Sequence, residues 1–179
     1  THVCETPDGL KKIPYGADFA VVNLAGENAA ETAFNTWLTR PHILISDDEN
    51  GDALEGLHKG SVVLCRREHP HFGEISRMAR ESGCAGFFTA GTESHCSARI
   101  GAVLRADNGV KAIYSILGRR AECVIGNAQA DPAIGAMAVL AAAICGYAAQ
   151  DAADLLQNFK GAAGDENVAL LQGMQRNSE

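Results

Sequence analysis

The densest run of chemically capable side chains is Ala90-Gly91-Thr92-Glu93-Ser94-His95-Cys96. A glycine-containing turn that opens a helix presents free backbone N–H groups and a positive dipole end, which suit a phosphate or carboxylate. With Thr92 as N-cap, His95 falls in the first helical turn, where the dipole lowers imidazole basicity and favours a ring able to exchange a proton near pH 7. The competing reading is a surface histidine in an ordinary capped turn. Cys96 is a candidate nucleophile, because a helix start depresses a thiol pKa. It is equally a small hydrophobe turned to the core.

Three further loops follow strand-like runs: Gly26-Glu27-Asn28, Cys65-Arg66-Arg67-Glu68-His69-Pro70 and Gly126-Asn127-Ala128-Gln129. Beyond the carboxyl ends of parallel strands, such loops are where ligands bind. Arg67 there would clamp an anion or pair with Glu68 on the surface. His69 and His71, with Cys65 and His95, have spacings too weak to specify a metal site, so no metal is expected.

Positioning these loops requires strands alternating with helices, and the sequence supplies them. Apolar runs at 19–24, 43–46, 61–65, 85–89, 110–117 and 122–125 read as strands. Helical patterns span 29–39, 53–58, 71–82, 92–106, 132–147 and 151–159, with Pro41 stopping the first and Asp131-Pro132 opening the fifth. The expectation is one three-layer α/β domain over residues 17–160 with a mainly parallel, flavodoxin-like sheet. Residues 1–16 form an extension and 161–179 a polar tail with a candidate short helix.

Of the 179 residues, 46% are hydrophobic and the net charge is −7, with scattered basic residues. This argues against a nucleic-acid partner. The longest apolar run, 136–145, is half the length a membrane-spanning helix requires. Six cysteines without a C-x-x-C pair exclude a zinc ribbon and fit a reducing, cytoplasmic setting. The segment 132–147 is rich in small residues nearly all round, which points to burial against other copies in a homo-oligomer.

The order of Val62-Val63-Leu64-Cys65-Arg66-Arg67-Glu68-His69-Pro70, then Ala90-Gly91-Thr92-Glu93-Ser94-His95, then Ile125-Gly126-Asn127-Ala128 before an alanine-rich helix resembles the class I aminoimidazole ribonucleotide carboxylase (PurE) family. That family's S-A-H-R-T-P, A-G-x-x-x-H and I-G-K-A segments stand at these places. The family's first-loop G-S-x-S-D is missing, and its motif histidine and arginine fall at Arg67 and Glu68. The resemblance implies a carboxylation or carboxyl-shift reaction on a small anionic, nucleotide-like substrate, in purine biosynthesis, by a lyase or isomerase that needs no cofactor. It makes His95 the acid/base, puts Gly26, Glu27, Asn28, Cys65, Arg67, Ala90, Gly91, Thr92, Glu93, Ser94 and Asn127 around the substrate, and implies an octamer or tetramer. The alternatives are a non-catalytic nucleotide- or anion-binding module and a Cys96-dependent isomerase or hydrolase.

Overall fold

A computed structural model describes residues 2–4, 20–22, 24, 27–46, 51–107 and 109–158. In chain order the elements are β1 (His2–Cys4), β2 (Ala20–Val22), α1 (Ala29–Thr39), β3 (Ile43–Ser46), β4 (Val62–Arg66), α2 (Phe72–Glu81), β5 (Gly86–Gly91), β6 (Ala98–Ala106), β7 (Gly109–Ile116), β8 (Arg119–Ile125), α3 (Pro132–Ile144) and α4 (Ala149–Leu155). Strands β1 and β2 pair in parallel as a small separate sheet. The main sheet has six strands in sequence order, β3 to β8. Its first three pairings are parallel and its last two antiparallel. The expected α/β fold with a mainly parallel sheet is met in that coarse form.

Val63, Leu64 and Cys65 are buried in succession along β4, as in a strand covered on both faces. Val63 and Cys65 pack with Ile75 and Ala79 of α2 and with Leu54 on one side. Leu64 joins Tyr114, Ile116, Met137 and Leu140 under α3 on the other. In β7 the even-numbered residues from Val110 to Ile116 are buried, while Lys111 is exposed. That is the one-sided pattern of an antiparallel sheet facing water. Helix α3 is apolar nearly all round because it lies between this sheet and α4, with Ala133, Gly135, Ala136, Met137, Val139 and Leu140 buried. Most of its apolar surface is thus covered within the chain, with Ile134 left exposed.

The register shows a step. Arg66, Ala90, Ala98, Ile116 and Arg119 form one row across five strands. Strand β4 ends at that row and β5 one residue above it, whereas β6 and β8 start there and run upward and the antiparallel β7 comes down to end there. Only Ala90↔Ala98 and Gly91↔Arg99 join the two halves. Parallel neighbours ordinarily need a dozen or more linking residues. Here six suffice, because β6 begins where β5 ends and the chain has no strand length to retrace.

This step corrects the helix expected over 92–106, which is a turn followed by strand β6. Ile100 and Leu104 have helical spacing. The segment is captured instead by β7, across the hairpin signalled by Asp107-Asn108-Gly109 before the alternating run of β7. A second hairpin turns at Leu117-Gly118, both at positive φ (49° and 82°), the backbone of a two-residue turn that matches strand twist.

Candidate functional site

Strands β4, β5, β6 and β8 point the same way, but the loops after β4 and β5 lie at the step while β6 and β8 run on past it. Ion pairs and hydrogen bonds tie these loops together. Arg66 Nη1 donates to Asp131 Oδ2 at 3.0 Å, linking the end of β4 to the start of α3. Asp131 is also the N-cap of α3, its Oδ1 accepting from Ala133 N at 2.8 Å, so one carboxylate serves two purposes. Arg67 Nε meets Glu93 Oε2 at 3.2 Å, and its guanidinium carbon stands 4.4 Å from the Phe72 ring centroid. The Glu68 carboxylate accepts from Thr92 N at 2.9 Å and from its hydroxyl at 3.2 Å. Glycine is required at 91, where a Cβ would sit within 2.8 Å of the Glu68 carboxylate and Arg67 Cβ.

The expected residues divide between these loops and purely structural duties. His95 is exposed and its Nε2 lies 3.1 Å from Glu93 Oε2, in a turn rather than at a helix start. No helix dipole acts on it. Thr92 caps no helix and is instead bonded to Glu68; Ser94 is exposed in the same turn and Ala90 is fully buried beneath it. Cys96 is buried, and burial first of all, with the Glu68 and Glu93 carboxylates adding to it, pushes its thiol pKa up. This is the reverse of what a helix start would do, and it works against a thiolate nucleophile.

Asn28 is the N-cap of α1, accepting from Glu31 N at 3.0 Å, while the Glu31 carboxylate accepts from Glu27 N at 2.9 Å. These two residues form a capping arrangement; Gly26 lies outside the described residues. Cys65 is fully buried on the α2 face. Asn127 Oδ1 accepts from Gln129 N at 2.9 Å and so shapes its own loop. His69 Nδ1 accepts from His71 N at 3.1 Å, and among the described residues no three His, Cys, Asp or Glu side chains gather as metal ligands.

Reading 92–106 as a helix hid Arg105. Near the tip of the β6–β7 hairpin its Nη1 donates to the carbonyls of Ala128 and Ala130 at 3.0 and 3.3 Å. Two bonds on one nitrogen hold the guanidinium at the side of a shallow, open depression of about 590 Å³ lined by Arg105, Ala106, Asp107, Ala128 and Gln129. The signal available in the sequence was the Asp107-Asn108-Gly109 turn, which places an arginine two residues before it at a hairpin tip.

This architecture has counterparts among solved structures. MurF from Acinetobacter baumannii superposes with a TM-score of 0.62 at 10% identity, over 82% of this chain and 34% of that one. The fold resembles that of the Mur ligases. MurF ligase from Thermotoga maritima, solved in complex with ADP, matches at 0.52 and 9% identity over 70% of this chain and 34% of that one. A UDP-N-acetylmuramoyl-L-alanyl-D-glutamate--2,6-diaminopimelate ligase matches at 0.50 and 14% identity over 89% and 32%. The chain therefore spans about a third of the length of these Mur ligases. No family model and no curated protein matches its sequence.

The likeness overturns the resemblance to class I aminoimidazole ribonucleotide carboxylases. With it go the carboxylase or mutase activity, the purine-biosynthetic role and the lyase or isomerase assignment. The shared A-G-x-x-x-H spacing is carried here by a turn into a strand, a different local structure from the helix start on which the match depended. Among the described residues, no helix is long and apolar enough to cross a membrane.

Proposed function

We propose that this chain works as a nucleotide-binding domain of a Mur ligase-like protein, with the cleft beneath the β6–β7 hairpin receiving a nucleoside diphosphate. The observation that carries the reading is Arg105, fixed by two backbone carbonyls and lining the cleft. The depression is open to solvent, so a ligand there would be held by its polar groups rather than by enclosure. Its chemistry suits a nucleotide: a guanidinium for phosphate oxygens, the Asp107 carboxylate to accept from ribose hydroxyls, and the Gln129 amide for a base edge. The sequence contains no G-x-x-x-x-G-K-[ST] run, so phosphates would be met by a side chain rather than a backbone cradle. ADP, present in the Thermotoga structure, is the natural probe.

Within this reading Arg105 orients the phosphates, while the Arg66–Asp131 pair keeps α3 and its preceding loop in place beside them. Isothermal titration with ADP tests it. Saturable binding is expected, weakened about tenfold or more by Arg105→Ala, since a hydrogen bond to a charged group contributes about 1.5–3 kcal/mol. Equal affinity of the two proteins, or no binding, would overturn the assignment.

A further inference from the structure

Above the row Arg66–Ala90–Ala98–Ile116–Arg119, β6 continues without β5. From Ile100 to Ala106 its pairing is to β7 alone, and among the described residues no strand lies against its other edge. Residues 101–106 are all exposed, including Leu104 at 67%. An unpaired row of N–H and C=O groups is a template for another extended chain. The open stretch of seven residues is roughly 23 Å long at about 3.3 Å per residue.

Its charge selects the occupant. Arg99 makes no ion pair among the described residues, and Arg105 bonds only to carbonyls, in a chain whose net charge is −7. Arg99 stands opposite Ser115 and Arg105 opposite Val110, and these two β7 residues lie on different faces of the sheet. The edge is thus flanked by a cation on each face. Strand β6 carries two arginines and no carboxylate, so two copies paired through it would gather four cations along one seam without a β6 anion to answer them. The register shift between Ile100 and Val103 further bends the edge away from flat self-pairing.

We infer that the free edge of β6 binds an extended acidic peptide by strand addition, with a carboxylate of the peptide answering Arg99. This goes beyond the nucleotide reading. A fluorescein-labelled octapeptide, Thr-Glu-Glu-Val repeated twice, is titrated against the whole chain by anisotropy, with its Lys-for-Glu counterpart alongside. Amide exchange at 100–106 is followed in parallel.

The expected result is saturable binding of the acidic peptide only, slowed exchange at 100–106 when it is bound, and a loss of about fivefold in Arg99→Glu. Three results would overturn the inference: no binding, binding of both peptides alike, or protection at 100–106 that rises with protein concentration in the absence of peptide. ADP binding without peptide binding removes this inference alone. Peptide binding without ADP binding removes the nucleotide reading alone.

Discussion

Substituting Asp131 separates two roles that one carboxylate performs. Its Oδ1 caps α3 through Ala133 N at 2.8 Å, and its Oδ2 pairs with Arg66 Nη1 at 3.0 Å. Asn retains the capping oxygen and loses the charge. The pair is partly solvated, with side chains 30% and 40% exposed, so its loss costs about 0.2–1 kcal/mol after screening. Ala loses both, and the missing cap adds about 0.5–2 kcal/mol. For a chain of this size 1 kcal/mol corresponds to roughly 2–4 °C in Tm. Asp131→Asn is therefore expected to lower Tm by about 0.4–4 °C and Asp131→Ala by about 1.4–12 °C in thermal denaturation. In 1 M salt the Asn deficit should shrink while the difference between the two variants persists. Equal deficits for Asn and Ala, or a difference that vanishes in salt, would refute this division of labour.

Other consequences are equally direct. A methyl at Gly135 would lie 2.8 Å from both Tyr114 Oη and Ile125 Cδ1, so in Gly135→Ala overpacking of about 1–3 kcal/mol should outweigh the helix-propensity gain of about 1 kcal/mol, lowering the urea midpoint. Leu117 is half exposed at φ 49°, and Leu117→Asn should stabilise by about 0.5–1 kcal/mol in the same assay. Burial, chiefly, pushes the Cys123 thiol pKa up to about 11 from 9.0. The folded state holds this proton where the unfolded state has released it, so stability falls as pH rises from 9 to 11, by about 2–3 kcal/mol in total. Denaturation across that range should show a flatter alkaline limb in Cys123→Val.

The elements legible in the sequence are those whose periodicity has one reading. Helix α1 runs from the Asn28 cap to Arg40 just before Pro41, and α2 from Phe72 to Glu81, close to the expected limits. Strand β4 was visible as an apolar run because both its faces are covered. Strand β6 was not. Its lower end alternates as a strand should, but its upper half is exposed on both faces. There no burial pattern imprints itself on the residue types, and Ile100 and Leu104 kept their helical spacing. That one misreading moved the candidate site. It gave His95 a helix dipole it does not have and concealed Arg105. Glu27 and Asn28 stand in a loop after a strand-like run, which makes them candidate ligand contacts in the sequence, but their hydrogen bonds serve the start of α1. The stagger between β5 and β6 has no sequence signature beyond the shortness of residues 92–97, which the expectation of a helix absorbed.

The most direct test of the nucleotide reading is a crystal structure of the chain grown with ADP. The account predicts the diphosphate within hydrogen-bonding distance of the Arg105 guanidinium, with the ribose or base against Asp107 and Gln129. Nucleotide bound elsewhere on the chain, or an empty Arg105 cleft at saturating ADP, would contradict it.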